Sequence, residues 1–198
     1  ATPAVFSREK LKKVAGLKGH KSQINGLSRL GDSYVTIGGR NSRPADDTLR
    51  LWDAGTLKET LKVKLSGRPQ AVAASHDRIY VHTWDHPKET RLYSLDAKGE
   101  EVWSRTNGDH VFVSLAVRSD GLLVVVDYDT LSLVGRDGEV RKTIAVPPTT
   151  RLLATLGANE RYVFLSFIND GPGAGVSVVD LEDGEVVLQL EGLLLPKP

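Results

Sequence analysis

The sequence predicts an all-β fold built from about four repeated units of four antiparallel strands. Three observations predict it. Short runs rich in β-branched and aromatic residues are bounded by turn residues, and helical periodicity is almost absent. Gly-bearing turns at Gly55, Gly99, Gly138 and Gly184 recur at roughly 39–46 residues, a period that marks repeat architectures. One stretch, Gly19 to Asp53, reads as a nearly complete unit: Gly19-His20, two apolar strands, a long turn, then Leu49-Arg50-Leu51-Trp52-Asp53.

The chain then divides as follows. Residues 1–18 are basic, with Arg8, Lys10, Lys12, Lys13 and Lys18 around Leu11, Val14 and Leu17. Lys10 to Leu17 is expected to supply the outer edge strand of the last unit, its lysines guarding against aggregation. A phosphate-binding arm is the alternative. The first unit (19–67) has strands near Ile24–Ser28, Ser33–Gly38, Thr48–Trp52 and Thr60–Leu65. The second (68–108) has them near Ala71–Ala74, Arg78–Thr83, Arg91–Ser94 and Glu101–Trp103. The third (109–148) follows with Val111–Val117, Leu122–Asp127, Leu131–Val134 and Val140–Ile144. The fourth (149–192) has Leu152–Leu156, Tyr162–Phe167, Val176–Val179 and Val186–Leu190. Residues 193–198 are too apolar for a free tail and are expected to be covered by this chain, a partner chain or a continuation.

Gly19-His20 and Asp46-Asp47-Thr48-Leu49-Arg50-Leu51-Trp52-Asp53 resemble one repeat of the WD-repeat β-propellers, and the other units read as weaker copies. The resemblance implies a β-propeller of about four four-stranded antiparallel blades. An incomplete ring closed by oligomerisation, or part of a larger propeller, fits ahead of a compact four-bladed ring. It also implies a structural hydrogen-bond set in which Asp46 accepts from His20 and Trp52 donates its indole N–H. The fourth member is normally a Ser or Thr on the second strand; alignment places Ile37 there, with Thr36 beside it. Asn41 to Ala45 is an insertion relative to the usual repeat. Arg91 to Trp103 also resembles, over a short span and without cofactor residues, the propeller repeats of quinone-dependent dehydrogenases.

Composition narrows the function classes. The 198 residues carry a formal net charge of +1, so no strong field draws the chain to nucleic acid or to a membrane surface. No apolar run is long enough to span a bilayer. Cysteine is absent, which excludes disulfides and thiolate metal sites without fixing the compartment.

Several motifs imitate chemistry. Trp84-Asp85 follows a second strand and reads as a loop feature. Gly171-Pro172-Gly173-Ala174-Gly175 lacks the helix and Lys-Ser/Thr of a phosphate loop and reads as a flexible hairpin loop. Asp127-Tyr128-Asp129 lacks the glycine and distal glutamate of a calcium loop and reads as a solvated turn. Histidines at 20, 76, 82, 86 and 110 are scattered, and no hydrolase elbow, zinc motif or dinucleotide fingerprint appears. No metal, cofactor or catalytic set is expected.

The strand parse puts the long inner turns and the linking loops on one face. That face carries Arg40, Arg43, Trp84, His86, Tyr128 and Asp170 from the inner turns, with Lys21, Arg68, His110 and Arg151 from the links. Trp, Tyr and Arg dominate binding energy at interfaces, and the turns Arg40–Asp47 and Trp84–Glu89 are longer than a tight hairpin needs. The expectation is a non-catalytic interaction scaffold that recognises a protein or peptide through Arg40, Arg43, Trp84, His86, Tyr128, Arg151 and Asp170. The alternative is an enzyme or lectin-like propeller that binds a small polar ligand in a central funnel near His82 and His110.

Overall fold

The computed structural model describes residues 4–6, 13–39, 46–85, 89–106, 114–127, 129–146, 151–157, 159–168, 174–190 and 192. They fall in two compact units, Ala1–Asp109 and His110–Pro198. In the first unit, β1 (Ala4–Phe6) and β2 (Lys13–Gly16) form a two-stranded hairpin. Two four-stranded antiparallel sheets follow in simple up-and-down order. One contains β3 (Ile24–Leu30), β4 (Ser33–Gly38), β5 (Thr48–Asp53) and β6 (Glu59–Lys64). The other contains β7 (Arg68–Ser75), β8 (Arg78–Asp85), β9 (Glu89–Asp96) and β10 (Glu101–Thr106). The second unit repeats the plan with β11 (Ser114–Val117), β12 (Leu123–Val126), β13 (Thr130–Val134) and β14 (Val140–Ala145). Its other sheet is β15 (Arg151–Leu156), β16 (Tyr162–Ile168), β17 (Ala174–Asp180) and β18 (Glu185–Leu190).

Period-two alternation explains each core. In the first sheet Val35 pairs with Leu51 and Ile37 with Leu49, so all four point to one side. In the second sheet Ile79 pairs with Leu95 and Val81 with Tyr93. These two apolar faces meet with Leu30, Leu65 and Ala74 as the core of the first unit. Side-chain links tie β3 to β7: Asn25 Nδ2 donates to the Pro69 carbonyl at 2.9 Å, and the Ala74 amide donates to Ser28 Oγ at 2.9 Å. In the second unit Val124, Val126, Leu131, Leu133 and Ile144 meet Val163, Leu165, Val179 and Leu181 in the same manner.

Two details differ from the sequence reading. The basic N-terminal strand does not complete the last sheet: Lys13–Gly16 pairs with Ala4–Phe6, and among the described residues β18 pairs only with β17. A partner a few residues away closes a shorter loop, which lowers the entropy cost of pairing. Trp84 and Asp85 are not loop residues, because β8 runs through both and pairs them with Thr90 and Glu89. The β-branched and aromatic run His82-Thr83-Trp84 suits a pleated strand. The β5–β6 turn contains Gly55, as the sequence reading has it, and its left-handed residue is Leu57, at φ 58°.

The Leu57 geometry has a measurable cost. The Leu57 amide donates to the Asp53 carbonyl at 2.8 Å, as the Gly184 amide does to the Asp180 carbonyl at 2.8 Å. The two turns are therefore the same five-residue type, with glycine at the left-handed position in one and leucine in the other. A leucine there is strained by its Cβ. Leu57→Gly should stabilise the chain by about 0.5–1 kcal/mol after the loss in unfolded-state entropy is set against it. A denaturant midpoint that falls instead would contradict the assignment.

Candidate functional site

The Asn25–Pro69 and Ser28–Ala74 links run β3 and β7 side by side in the same direction. The β2–β3, β4–β5, β6–β7 and β8–β9 connections therefore lie at one end of the first unit. A buried polar network holds that end together. His20 Nδ1 is 2.9 Å from Asp46 Oδ2, and His20 Nε2 is 2.7 Å from Thr36 Oγ1. Trp52 Nε1 donates to the same Thr36 oxygen at 2.7 Å. Asp46 also accepts from the Lys21 amide at 2.7 Å and from the Thr48 hydroxyl. His20, Thr36, Asp46, Thr48 and Trp52 are all buried.

Donor and acceptor counting fixes one consistent arrangement. The indole N–H donates to Thr36, the Thr36 hydroxyl donates to His20 Nε2, and Nδ1–H donates to the Asp46 carboxylate. Such a chain needs a neutral histidine. Burial pushes the His20 pKa below its ordinary value, outweighing the opposing pull of Asp46. Burial would raise Asp46, but hydrogen bonds from Thr48, the Lys21 amide and His20 hold its carboxyl below the usual range.

The fourth member of this set is Thr36 and not Ile37. Ile37 pairs with Leu49 and enters the core, while Thr36 pairs with Arg50 on the opposite face, the face of Trp52. The β-strand alternation itself carried that signal: between two core residues, Val35 and Ile37, the side chain must point away. Sequence reasoning also missed an ion pair on this face, between the buried Arg50 and Glu59.

Of the binding residues named from the sequence, Trp84 is half-buried at the end of β8 and lies directly across from the exposed Arg68 of β7. The link into β7 passes close by, since Gly67 has φ +82° and a Cβ there would sit 3.3 Å from the Trp84 backbone. Exposed Lys21 and Lys64 belong to the same end, Lys64 reaching Asp47 at 3.3 Å. Arg151 opens β15, paired with Ile168. Arg40, Arg43, His86, Tyr128 and Asp170 lie outside the described residues, as do His110 and the segments 171–173 and 193–198. Asp127 is buried at the head of the β12–β13 turn, its amide donating to the Thr130 carbonyl at 2.8 Å, while Asp129 in the same turn is exposed. Ala174 and Gly175 belong to strand β17 and not to a loop.

His82 is the other notable group. It is 0% exposed, neither ring nitrogen has a hydrogen-bond partner among the described residues, and burial lowers its pKa to about 4. Among the described residues no group of three or more His, Cys, Asp or Glu is placed to hold a metal ion. No helix among them is long and apolar enough to cross a membrane. At the opposite end of the first unit an open cavity of about 540 Å³ is lined by Ser33, Leu51, Leu61, His76 and Lys98 among others.

No protein-family model and no curated protein sequence matches this chain. Solved structures do. Kuenenia stuttgartiensis hydrazine synthase superposes with a TM-score of 0.71 at 15% identity, over 88% of this chain and 51% of that one. The Cps50 (Swd1) β-propeller domain of Myceliophteria thermophila gives 0.64 at 14% identity, over 98% and 80%. BamB from Moraxella catarrhalis gives 0.65 at 16% identity, over 90% and 56%. The fold is a β-propeller. Its four sheets are four-stranded antiparallel blades, and the chain spans about half the length of the hydrazine synthase and BamB chains. At these identities the likeness concerns architecture alone.

Proposed function

We propose that this propeller segment is a non-catalytic interaction scaffold, and that it recognises a protein or peptide through the loop end of its blades. The observation that carries this is the half-buried Trp84, set beside exposed Arg68 at the end that the His20–Asp46 network holds in place. An aromatic with a basic neighbour on a rigid strand end has the composition of an interface hot spot. The first blade is read as a WD-type repeat, on the strength of its His20, Asp46, Thr36 and Trp52 arrangement. The two described internal histidines support a structural reading: His20 is held within the network, and His82 is sealed from solvent.

A peptide-display selection against the whole chain tests the reading. Enriched peptides should bind Trp84→Ala and Arg43→Ala roughly tenfold or more weakly, with the melting temperature of each variant close to that of the parent. Equal affinity for the parent and both variants would remove the loop end as the recognition surface.

A further inference from the structure

The open cavity at the turn end of the first unit, about 540 Å³, is lined by both of that unit's blades and has the size of a ligand site. The first blade supplies an apolar floor, Leu30, Leu51 and Leu61, with the hydroxyls of Ser33 and Thr60 beside it. The second blade supplies Ala97 and two basic side chains, His76 and Lys98. Every polar side chain in the lining can donate a hydrogen bond, and none is a carboxylate. Acids in the flanking turns are engaged locally. Asp96 Oδ1 accepts the Lys98 and Glu100 amides at 2.8 and 2.9 Å, and Asp53 Oδ1 accepts the Thr56 amide at 2.6 Å.

The second unit shows what closes such a space. Leu61 lies across from Leu51 as Lys142 lies across from Leu133. Gly99 and Gly184, both at φ +80°, sit against those same two residues: a Cβ would lie 3.0 Å from Leu61 Cδ2 and 2.9 Å from Lys142 Cε. Counting from Asp96 and Asp180, which head the two turns, Ala97 stands where the other turn has Leu181. Leu181 is buried in the core of its unit, and Lys142 Nζ donates to the Leu181 and Glu182 carbonyls at 3.2 and 2.6 Å. The first unit has neither plug. Its β9–β10 turn is also one residue shorter, the Gly99 amide meeting the Asp96 carbonyl where the Gly184 amide meets the Asp180 carbonyl. The space left open is that of an aliphatic side chain.

His76 adds an independent sign. It holds φ 56° in the β7–β8 turn, where the matching turns of the other blades have Gly31, Gly121 and Glu160 in the left-handed region. The two glycines carry no Cβ strain there. Glu160 puts its side chain to use, Oε2 accepting from the Ser119 amide and hydroxyl at 2.8 and 2.7 Å. His76 Nδ1 is 2.7 Å from Ser75 Oγ, and its Nε2 has no partner among the described residues. A strained non-glycine residue at a cavity wall points to a use for its side chain.

We propose that this cavity is a second recognition site, apart from the loop end, that takes the C-terminal residue of a partner polypeptide. An aliphatic side chain rests on the leucine floor in the place that Leu181 fills in the second unit. The α-carboxylate meets Lys98 and His76, with the Ser33 and Thr60 hydroxyls as further donors. Bonds to an ionised carboxylate are the stronger kind, and capture of a chain terminus by converging donors is a recurring mode of peptide recognition. Because the cavity is open, the rest of the partner can leave it into solvent.

An NMR titration of the whole chain with acetyl-Gly-Gly-Leu as the free acid tests the proposal. Shifts are expected at the amides of residues 75–77 and 97–99. The C-terminal amide of the same peptide should bind roughly tenfold or more weakly, as should the free acid to Lys98→Ala, since each loses a charge-assisted contact. Ala97→Leu, at an exposed position, rebuilds the plug of the fourth blade and should abolish binding while the cooperative melt persists. Equal affinity for acid and amide overturns the proposal, and so does unchanged binding to either variant. Octanoate binding as tightly as the peptide would make this a fatty-acid site and overturn the peptide assignment. A titration without shifts at these amides overturns it as well.

Discussion

Thr36→Val should lower stability by about 2–4 kcal/mol, although it nearly preserves the shape of the side chain. The hydroxyl is the joint of the loop-end network: it accepts from Trp52 and lies 2.7 Å from His20 Nε2. Valine leaves the indole N–H and a ring nitrogen of His20 buried without partners. Each orphan costs about 1–3 kcal/mol, and neither site is open to water that would replace the lost contact. The melting temperature of the chain should fall by roughly 5–15 °C. Thr36→Ser keeps the hydroxyl and should recover most of the loss. A double-mutant cycle with Trp52→Phe should show coupling, since the second change removes a donor whose acceptor has already gone. A Thr36→Val variant within about 0.5 kcal/mol of the parent, the ordinary scatter of surface changes, would mean that the network contributes nothing to stability.

The second large effect is a response to acid. Burial lowers the His82 pKa in the folded chain to about 4, against an ordinary value of 6.5. Between these values the unfolded chain binds a proton that the folded chain refuses. Stability is therefore intact above about pH 6.5 and is lost progressively as the pH falls towards 4, by up to about 3 kcal/mol for a shift of this size. His20, also lowered by burial, adds to the loss in the same direction below pH 6.5. Asp46 acts later, because its contribution disappears only as the carboxyl is protonated below the usual carboxylate range. Urea unfolding at pH 7 and pH 4.5 should show the fall in the parent. His82→Gln should flatten it without abolishing folding. An equal pH dependence in parent and variant would mean that His82 is protonated as readily in the folded chain as in the unfolded one.

The fold was legible because its signals are local. Short β-rich runs bounded by turn residues placed the strands, and the Asp137-Gly138 and Asp183-Gly184 turns marked the return of two hairpins. His20, Asp46 and Trp52 were named as a set from their resemblance to a known repeat, and the structure joins them: His20 bonds Asp46, and His20 and Trp52 both reach Thr36. What stayed hidden depends on facing direction or on distant pairing. Thr36 and Ile37 are neighbours in sequence but occupy opposite faces, and an alignment does not see faces. The end of β8 at Trp84 and Asp85 depends on partners in β9, so a strand boundary set by local composition stopped too early. The N-terminal strand pairs with the nearby β1 and not with the far edge of the chain, a choice between a local and a long-range partner that composition does not rank.

The two feet of the 40–45 connection have a consequence for how the protein can diversify. On one side a Cβ at Gly38 would lie 2.1 Å from the Asp46 carbonyl oxygen, and Gly39 exchanges contacts with Ser22 Oγ at 3.0 and 3.3 Å. On the other, Asp46 is fastened by His20, Thr48 and the Lys21 amide. With the exit and the return locked this close together, the length of what lies between them is nearly uncoupled from the blade. Doubling a loop costs only about 0.6 kcal/mol of closure entropy. The position is thus a socket: inserted sequences can be exchanged there, and new specificities tried, while the architecture that carries them is left alone.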